Sequence, residues 1–111
     1  MKIAIAQINA TVGDLSGNVA RIADFAGRAR RAGANLMVTP ELALCGYPPE
    51  DLLLREDFLA ACDQALGDLA AQARDITLIV GHPRVADGKR YNSASIIQNG
   101  RIVGTYDKQR L

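Results

Sequence analysis

Three stretches of this chain are apolar on both faces of an extended strand: Ile3-Ala4-Ile5-Ala6, Leu78-Ile79-Val80, and Ala94 with Ile96-Ile97. Strands of that kind are covered on both sides in a folded protein. Only two segments show helical periodicity, about residues 18–31 and 57–73. In the first, Val19, Ile22, Ala23, Ala26 and Ala29 share one face. In the second, Phe58, Cys62, Ala65, Leu66, Leu69 and Ala73 do the same. Two helices cover one face of a five-stranded sheet and leave the other bare. That face must meet something outside these 111 residues, either a second sheet or another chain. The end at Leu111, straight after the last predicted strand, points to a truncated piece of a larger domain. A complete small domain that dimerises through its sheet is the alternative.

The remaining elements follow from local signals. Strands are predicted at about residues 2–8, 36–39, 77–81, 91–98 and 101–106. Their order with the helices predicts an α/β fold with largely parallel pairing. Gly13-Asp14 and Ser16-Gly17-Asn18 supply turn and cap residues before the first helix, and Gly33 stops it. Pro48 and Pro49 followed by Glu50 and Asp51 suit the first turn of a helix. Asp87-Gly88-Lys89 marks a polar turn, and Asn99-Gly100 is a hairpin signal. The chain shows no internal repeat, linker or low-complexity segment.

Composition narrows the function classes. A net charge of +1 gives no electrostatic case for nucleic acid or an anionic membrane surface. The basic cluster Arg28, Arg30 and Arg31 closes a helix, where it complements the helix dipole. No apolar run is long enough to span a bilayer, and the N-terminus reads as a strand rather than a signal peptide. Cys45 and Cys62 sit in apolar surroundings without metal or redox spacing, which suits small buried hydrophobes in a reduced, cytoplasmic protein.

The segment richest in chemistry follows the short strand Leu36-Met37-Val38. It presents Glu41, then a Gly46-Tyr47-Pro48-Pro49 loop and an acidic helix start. A carboxylate at the mouth of a buried strand is unfavourable unless paired or working. On residues alone, Glu41 reads first as a strand-end carboxylate that caps the following loop. Lys108 could be an edge-strand lysine that guards against aggregation. Tyr47 could line a pocket beside Glu41 or simply pack in its turn. His82, the single histidine, has no Ser or Cys partner pattern and reads as structural.

Thr39-Pro40-Glu41-Leu42 and Tyr106-Asp107-Lys108-Gln109-Arg110-Leu111 resemble motifs of the nitrilase superfamily of carbon–nitrogen hydrolases. The opening Ile5-Ala6-Gln7-Ile8-Asn9, with Val12-Gly13-Asp14 and Gly17-Asn18, is similar to that superfamily's N-terminus. Gly46-Tyr47-Pro48-Pro49-Glu50-Asp51-Leu52-Leu53 with Gly81-His82-Pro83 resembles the glutaminase domain of the glutamine-dependent NAD⁺ synthetases. The resemblance runs from Met1 to Leu111.

It implies a nitrilase-like four-layer αββα sandwich, truncated here after its early strands, with a second sheet on the bare face. Residues 1–111 would be the N-terminal portion of a glutaminase domain. The family's catalytic set is Glu–Lys–Cys. By position, Glu41 matches the general base and Lys108 the group that stabilises thiolate and oxyanion; the nucleophilic cysteine falls outside this chain, and neither Cys45 nor Cys62 matches it. A buried Glu–Lys pair would keep both members charged. The implied reaction is hydrolysis of glutamine, with ammonia used for ATP- and Mg²⁺-dependent conversion of deamido-NAD⁺ to NAD⁺. No Gly-rich phosphate loop and no metal set occurs in these residues, so ATP and Mg²⁺ would belong to an absent synthetase domain. The fragment alone would be inactive, and the parent a homo-oligomer. A stand-alone amidase or carbamoylase, or a catalytically dead interaction module, are the competing readings.

Overall fold

The structure, a computed structural model, describes the backbone of all 111 residues and every side chain except that of Glu50. The helix-start charge expected at Glu50 therefore lies outside the described side chains. In chain order the elements are β1 (Ile3–Ile5), α1 (Leu15–Arg31), β2 (Leu36–Val38), a 3₁₀ helix (Glu50–Leu54), α2 (Glu56–Gln72), β3 (Thr77–Ala86), β4 (Lys89–Gln98) and β5 (Arg101–Arg110). The five strands form one sheet in the order β1-β2-β3-β4-β5. β1, β2 and β3 are parallel, and β3, β4 and β5 are antiparallel. The pairing is thus mixed, not largely parallel. Each parallel step uses one of the two helices as its crossover, and the two-residue links after β3 and β4 permit only antiparallel pairing.

Both links are hairpin turns with two successive positive φ angles: Asp87 (53°) and Gly88 (74°), then Asn99 (52°) and Gly100 (78°). That is the type I′ geometry, whose twist matches the flanking strands. Asp87-Gly88 is therefore a full hairpin, joining strands longer than predicted. β3 continues five residues beyond Gly81, through Pro83, to Ala86. Proline is tolerated there because β2 pairs with β3 only as far as Ile79, which leaves β3 with a free edge beyond it. β5 likewise runs to Arg110, so Lys108 lies within a strand. β1 spans only three of the seven residues predicted, and the acidic helix start is a 3₁₀ turn.

α1 begins three residues before the predicted start, at Leu15. Asp14 is its cap, with Oδ1 accepting the Gly17 amide at 3.1 Å. At the other end Gly33 takes φ 91°. Its amide donates to Arg30 O and that of Ala34 to Ala29 O, both at 2.9 Å, which satisfies the last carbonyls. Arg28, Arg30 and Arg31 occupy the last turn as expected.

Both helices pack on one face of the sheet. Ile22 of α1, Cys62 and Leu69 of α2, and Met37, Leu78, Val80 and Ile97 of the strands form a core at 0–1% exposure. The opposite face is open. Ile3 and Ile5 on β1, Ile96 on β4 and Tyr106 on β5 are exposed there, Ile5 at 77% and Tyr106 at 69%. The bare apolar face inferred from the two helices is thus present. Among the described residues no helix is long and apolar enough to cross a membrane.

Candidate active site

The Glu41 segment is shaped by three contacts with its surroundings. First, it lies against the free edge of β3 where β2 has ended. Thr39 N donates to Ile79 O at 3.0 Å, Gly81 N to Thr39 Oγ1 at 3.1 Å, and Leu44 N to Gly81 O at 3.1 Å. These bonds replace the ladder that β2 no longer supplies. Second, the chain crosses directly over Gly81. A Cβ on Gly81 would stand 2.6 Å from Leu42 N and 2.7 Å from Pro40 O. Third, Leu42, Ala43, Leu44 and Cys45 are buried in the core immediately after Glu41. Leu42 holds φ 53°, a left-handed conformation that is unfavourable for a leucine by about 1–3 kcal/mol and persists where packing over-determines it.

Asn18 completes the support, and sequence reasoning missed this role by treating it only as a cap residue. It is fully buried in the first turn of α1. Its Nδ2 donates to Thr11 O at 2.8 Å and to Leu44 O at 3.1 Å, and its Oδ1 accepts from Thr11 N at 2.9 Å and from Arg21 Nη1 at 2.9 Å. One side chain thus ties the loop after β1 to the loop carrying Glu41. Gly13 N adds a bond to Cys45 O at 2.9 Å. The signal was present: Asn18 lies four residues before Ile22, on the buried stripe of α1.

Glu41 itself is exposed, as is Lys108, and no ion pair joins them among the described residues. The buried pair expected from the resemblance is not formed here. The register explains how they stand. Gly81 pairs with Ala94, and Ala94 with Tyr106. The Glu41 loop therefore meets the sheet at Gly81, the start of the row that ends at Tyr106, two residues before Lys108. Two strand spacings, about 10 Å, separate Gly81 from β5. Glu41 and Lys108 stand at one end of the sheet, on separate elements. Tyr47 is 65% exposed, in the loop with the cis Tyr47–Pro48 bond, and no hydrogen bond joins its side chain to either residue among the described residues.

Lys108 occupies an irregularity. Asp107 faces Ser93 and Gln109 faces Asn92, so Lys108 is an extra residue on β5, a β-bulge. Beside Glu41, a shallow depression of about 530 Å³ opens at the carboxyl ends of β1 and β2, lined by Ile5 to Asn9, Thr39 and Pro40. In α/β sheets ligands gather outside the carboxyl ends of parallel strands. A groove of about 410 Å³ between α1 and α2 lies in the helical layer, away from Glu41.

The other reactive side chains are sequestered. Burial pushes the Cys45 thiol up to about 11, against a smaller opposing effect of its backbone hydrogen bond. Burial, with the nearby Cys45 and Asp63, pushes the Cys62 thiol up to about 12. Neither is poised as a thiolate. His82 does have a serine partner, contrary to the reading from sequence. Its Nε2 stands 2.7 Å from Ser95 Oγ, which is 2.8 Å from Thr105 Oγ1. Pro83 O lies 3.2 Å from Nδ1, and a carbonyl can only accept, so Nδ1 carries the proton and Ser95 donates to Nε2. Both His82 and Ser95 are buried, so this is a structural tie across β3, β4 and β5. Burial holds the His82 pKa below the ordinary imidazole range. Among the described residues no three His, Cys, Asp or Glu side chains converge to hold a metal.

Residues 2–111 match the family described as carbon-nitrogen hydrolase. The glutamine-dependent NAD(+) synthetase of Xanthomonas campestris pv. campestris is 46% identical over 112 residues, covering all of this chain and 20% of that protein. Among solved structures, the glutamine-dependent NAD(+) synthetase of Cytophaga hutchinsonii superposes with a TM-score of 0.91 at 33% identity, covering 96% of this chain and 18% of the other. An amidase from Nesterenkonia sp. superposes with a TM-score of 0.81 at 29% identity, covering 97% of this chain and 42% of the other. The chain spans about a fifth of the length of the curated relatives it matches. Its fold is nitrilase-like, and the chain belongs to the carbon–nitrogen hydrolase family.

Proposed function

We propose that this chain is the N-terminal part of the glutaminase domain of a glutamine-dependent NAD⁺ synthetase, working in the cytoplasm. The observation that carries the reading is similarity to such synthetases along the whole chain, 46% identical in one case. The site geometry supports it, with Glu41 and Lys108 at one end of the sheet.

In this reading Glu41 is the general base. It takes the proton of a cysteine thiol supplied by the rest of the domain and returns it to the leaving ammonia. It then activates the water that opens the thioester. Lys108 stands by the developing oxyanion as a fixed cation; removing one such donor costs about 3–4 kcal/mol of transition-state stabilisation. Tyr47 lines the substrate side of the pocket once the bare face of the sheet is covered. The substrates of the whole protein are glutamine and deamido-NAD⁺. ATP and Mg²⁺ do not fit the residues present. The tightly packed Gly46 and Gly81 face this chain's own backbone, at Val12 and Leu42, rather than a phosphate cradle. No step through those groups is assigned to this chain.

The test is glutamine hydrolysis and NAD⁺ formation by the full-length protein. Glu41→Ala abolishes glutamine-supported NAD⁺ formation and spares the ammonia-supported reaction. Loss of both, or of neither, refutes the assignment. A stand-alone amidase is the second reading, favoured by the superposition on the Nesterenkonia enzyme. It predicts amide hydrolysis with no NAD⁺ formed from either nitrogen source.

A further inference from the structure

The helix-side face of the antiparallel strands carries a polar cluster that the roles above do not use. Arg84 Nε on β3 donates to Asp107 Oδ1 at 2.7 Å, and Arg84 Nη2 donates to Oδ2 at 3.2 Å. This is the two-pronged guanidinium–carboxylate geometry, which fixes direction as well as distance. Ser93 Oγ on β4 donates to the same Oδ1 at 2.6 Å. Both carboxylate oxygens are therefore held, from two different strands.

Asp107 is the last residue of β5 in regular register before the bulge. It faces Ser93, its own hydrogen-bond donor, and the next pair is Asn92 with Gln109. Lys108 is the residue left over. Asn92 is 2% exposed and its Oδ1 has no partner among the described residues, while the backbone ladder resumes beyond the bulge with Asn92–Gln109 and Tyr91–Arg110. Without a fixed point, the extra residue could slip by one position, with Asp107 unpaired and Lys108 facing Ser93. A one-residue slip turns a strand side chain to the opposite face.

The cluster has little to offer as a stabilising ion pair. The Arg84 and Asp107 side chains are 36% and 27% exposed, and pairs near the surface contribute little net stability. What it does determine is which residue of β5 is the extra one. The tie spans β3, β4 and β5, the strands crossed by the row from the Glu41 loop at Gly81 to Tyr106. The neutral chain His82–Ser95–Thr105 crosses the same three strands beside it.

We propose that Asp107, held by Arg84 and Ser93, is a positioning residue that locks the β5 bulge in register and so places Lys108 relative to Glu41. It rests on the catalytic role of Lys108 proposed above. It predicts that Asp107 acts through Lys108, which a double-mutant cycle on glutamine hydrolysis by the full-length protein reads directly.

Asp107→Ala lowers kcat about tenfold while KM stays within about twofold, the pattern of an interaction realised in the transition state. In a Lys108→Ala background the same substitution costs no more than about twofold further, since the two residues act as a unit. Equal losses in both backgrounds overturn the proposal, as does an unchanged kcat in the single variant. Should Asp107→Ala fail to fold, Ser93→Ala carries the same cycle, because it keeps the Arg84 fork and removes one hydrogen bond. A loss there that persists undiminished in the Lys108→Ala background is equally fatal. A crystal structure of the variant reads the register itself: Lys108 facing Ser93 supports the lock, and an unmoved bulge overturns it. An inactive wild-type enzyme refutes the glutaminase reading instead, and the crystallographic register still decides the lock.

Discussion

Replacing Gly81 by alanine tests whether the Glu41 loop is placed by its close passage over β3. The new methyl carbon would stand 2.6 Å from Leu42 N, 2.7 Å from Pro40 O and 3.2 Å from Glu41 C. All three are backbone atoms, so no side-chain rotation relieves the clash and the loop has to lift. Lifting it strains or breaks Gly81 N to Thr39 Oγ1 and Leu44 N to Gly81 O, both 3.1 Å. Each such bond contributes about 1 kcal/mol net. Overpacking at a tight contact adds about 1–3 kcal/mol. The expected destabilisation is about 3–5 kcal/mol, a fall in Tm on the order of 10–20 °C for a domain of this size.

Gly67→Ala is the matched control. Gly67 is exposed in α2 and an added Cβ there meets nothing within 4 Å. Alanine in a helix interior should stabilise by about 0.5–1 kcal/mol. Urea denaturation followed by circular dichroism, at one fixed protein concentration, measures both. A cost below about 1 kcal/mol for Gly81→Ala, at the low end of the overpacking range, would show that the loop is not held by this contact.

The buried thiols should resist alkylation at pH 8 in the folded chain and react at once in denaturant, because burial holds Cys45 and Cys62 at about 11 and about 12; rapid labelling of either in the native state would contradict their placement. The His82 pKa is depressed chiefly by burial, against the opposing pull of the Pro83 carbonyl, Asp63 and Asp107 and with a lesser contribution from Arg84. The unfolded chain then binds the proton more readily, so the contribution of His82 is complete above about pH 6.5 and is lost as pH falls through its folded value. Denaturation midpoints measured across that range should lose this slope in His82→Gln. The open sheet face should make the isolated chain associate at micromolar concentration; size-exclusion chromatography should show a shift toward monomer in Ile5→Lys, and a wild-type monomer would show that the face is stable in water.

Much of the architecture was legible because it rests on periodic burial. The stripes of α1 and α2 face the core as their spacing requires, and two helices proved too few for both faces of the sheet. The Asn99-Gly100 turn was legible because its left-handed angles suit those residues. What escaped depends on neighbours. Pro83 signals the end of a strand, yet β3 continues because the side that lacks a partner tolerates it. The reach of β5 to Arg110 was hidden because a bulge breaks the two-residue alternation at Lys108. For the candidate site, Glu41 stands just beyond β2 as read, while its support came from a buried asparagine that looked like a cap. The burial expected for Glu41 and Lys108 is absent: both side chains are exposed, on separate elements.

The sheet joins two kinds of pairing, and this bears on the order in which the candidate site is assembled. β3, β4 and β5 are ten-residue strands linked by two-residue turns, so their pairing is local in sequence and its loop-closure entropy is small. β1 and β2 contribute three residues each and pair only after a helix has been threaded between neighbours. The meander bearing Lys108 can form early and hold its amides against exchange. The parallel strands, from which the Glu41 loop departs, are expected to close late and open first, which native-state hydrogen exchange would read. The two residues thus reach one end of the sheet by different routes, one on a quickly made ribbon and the other on the last piece to dock.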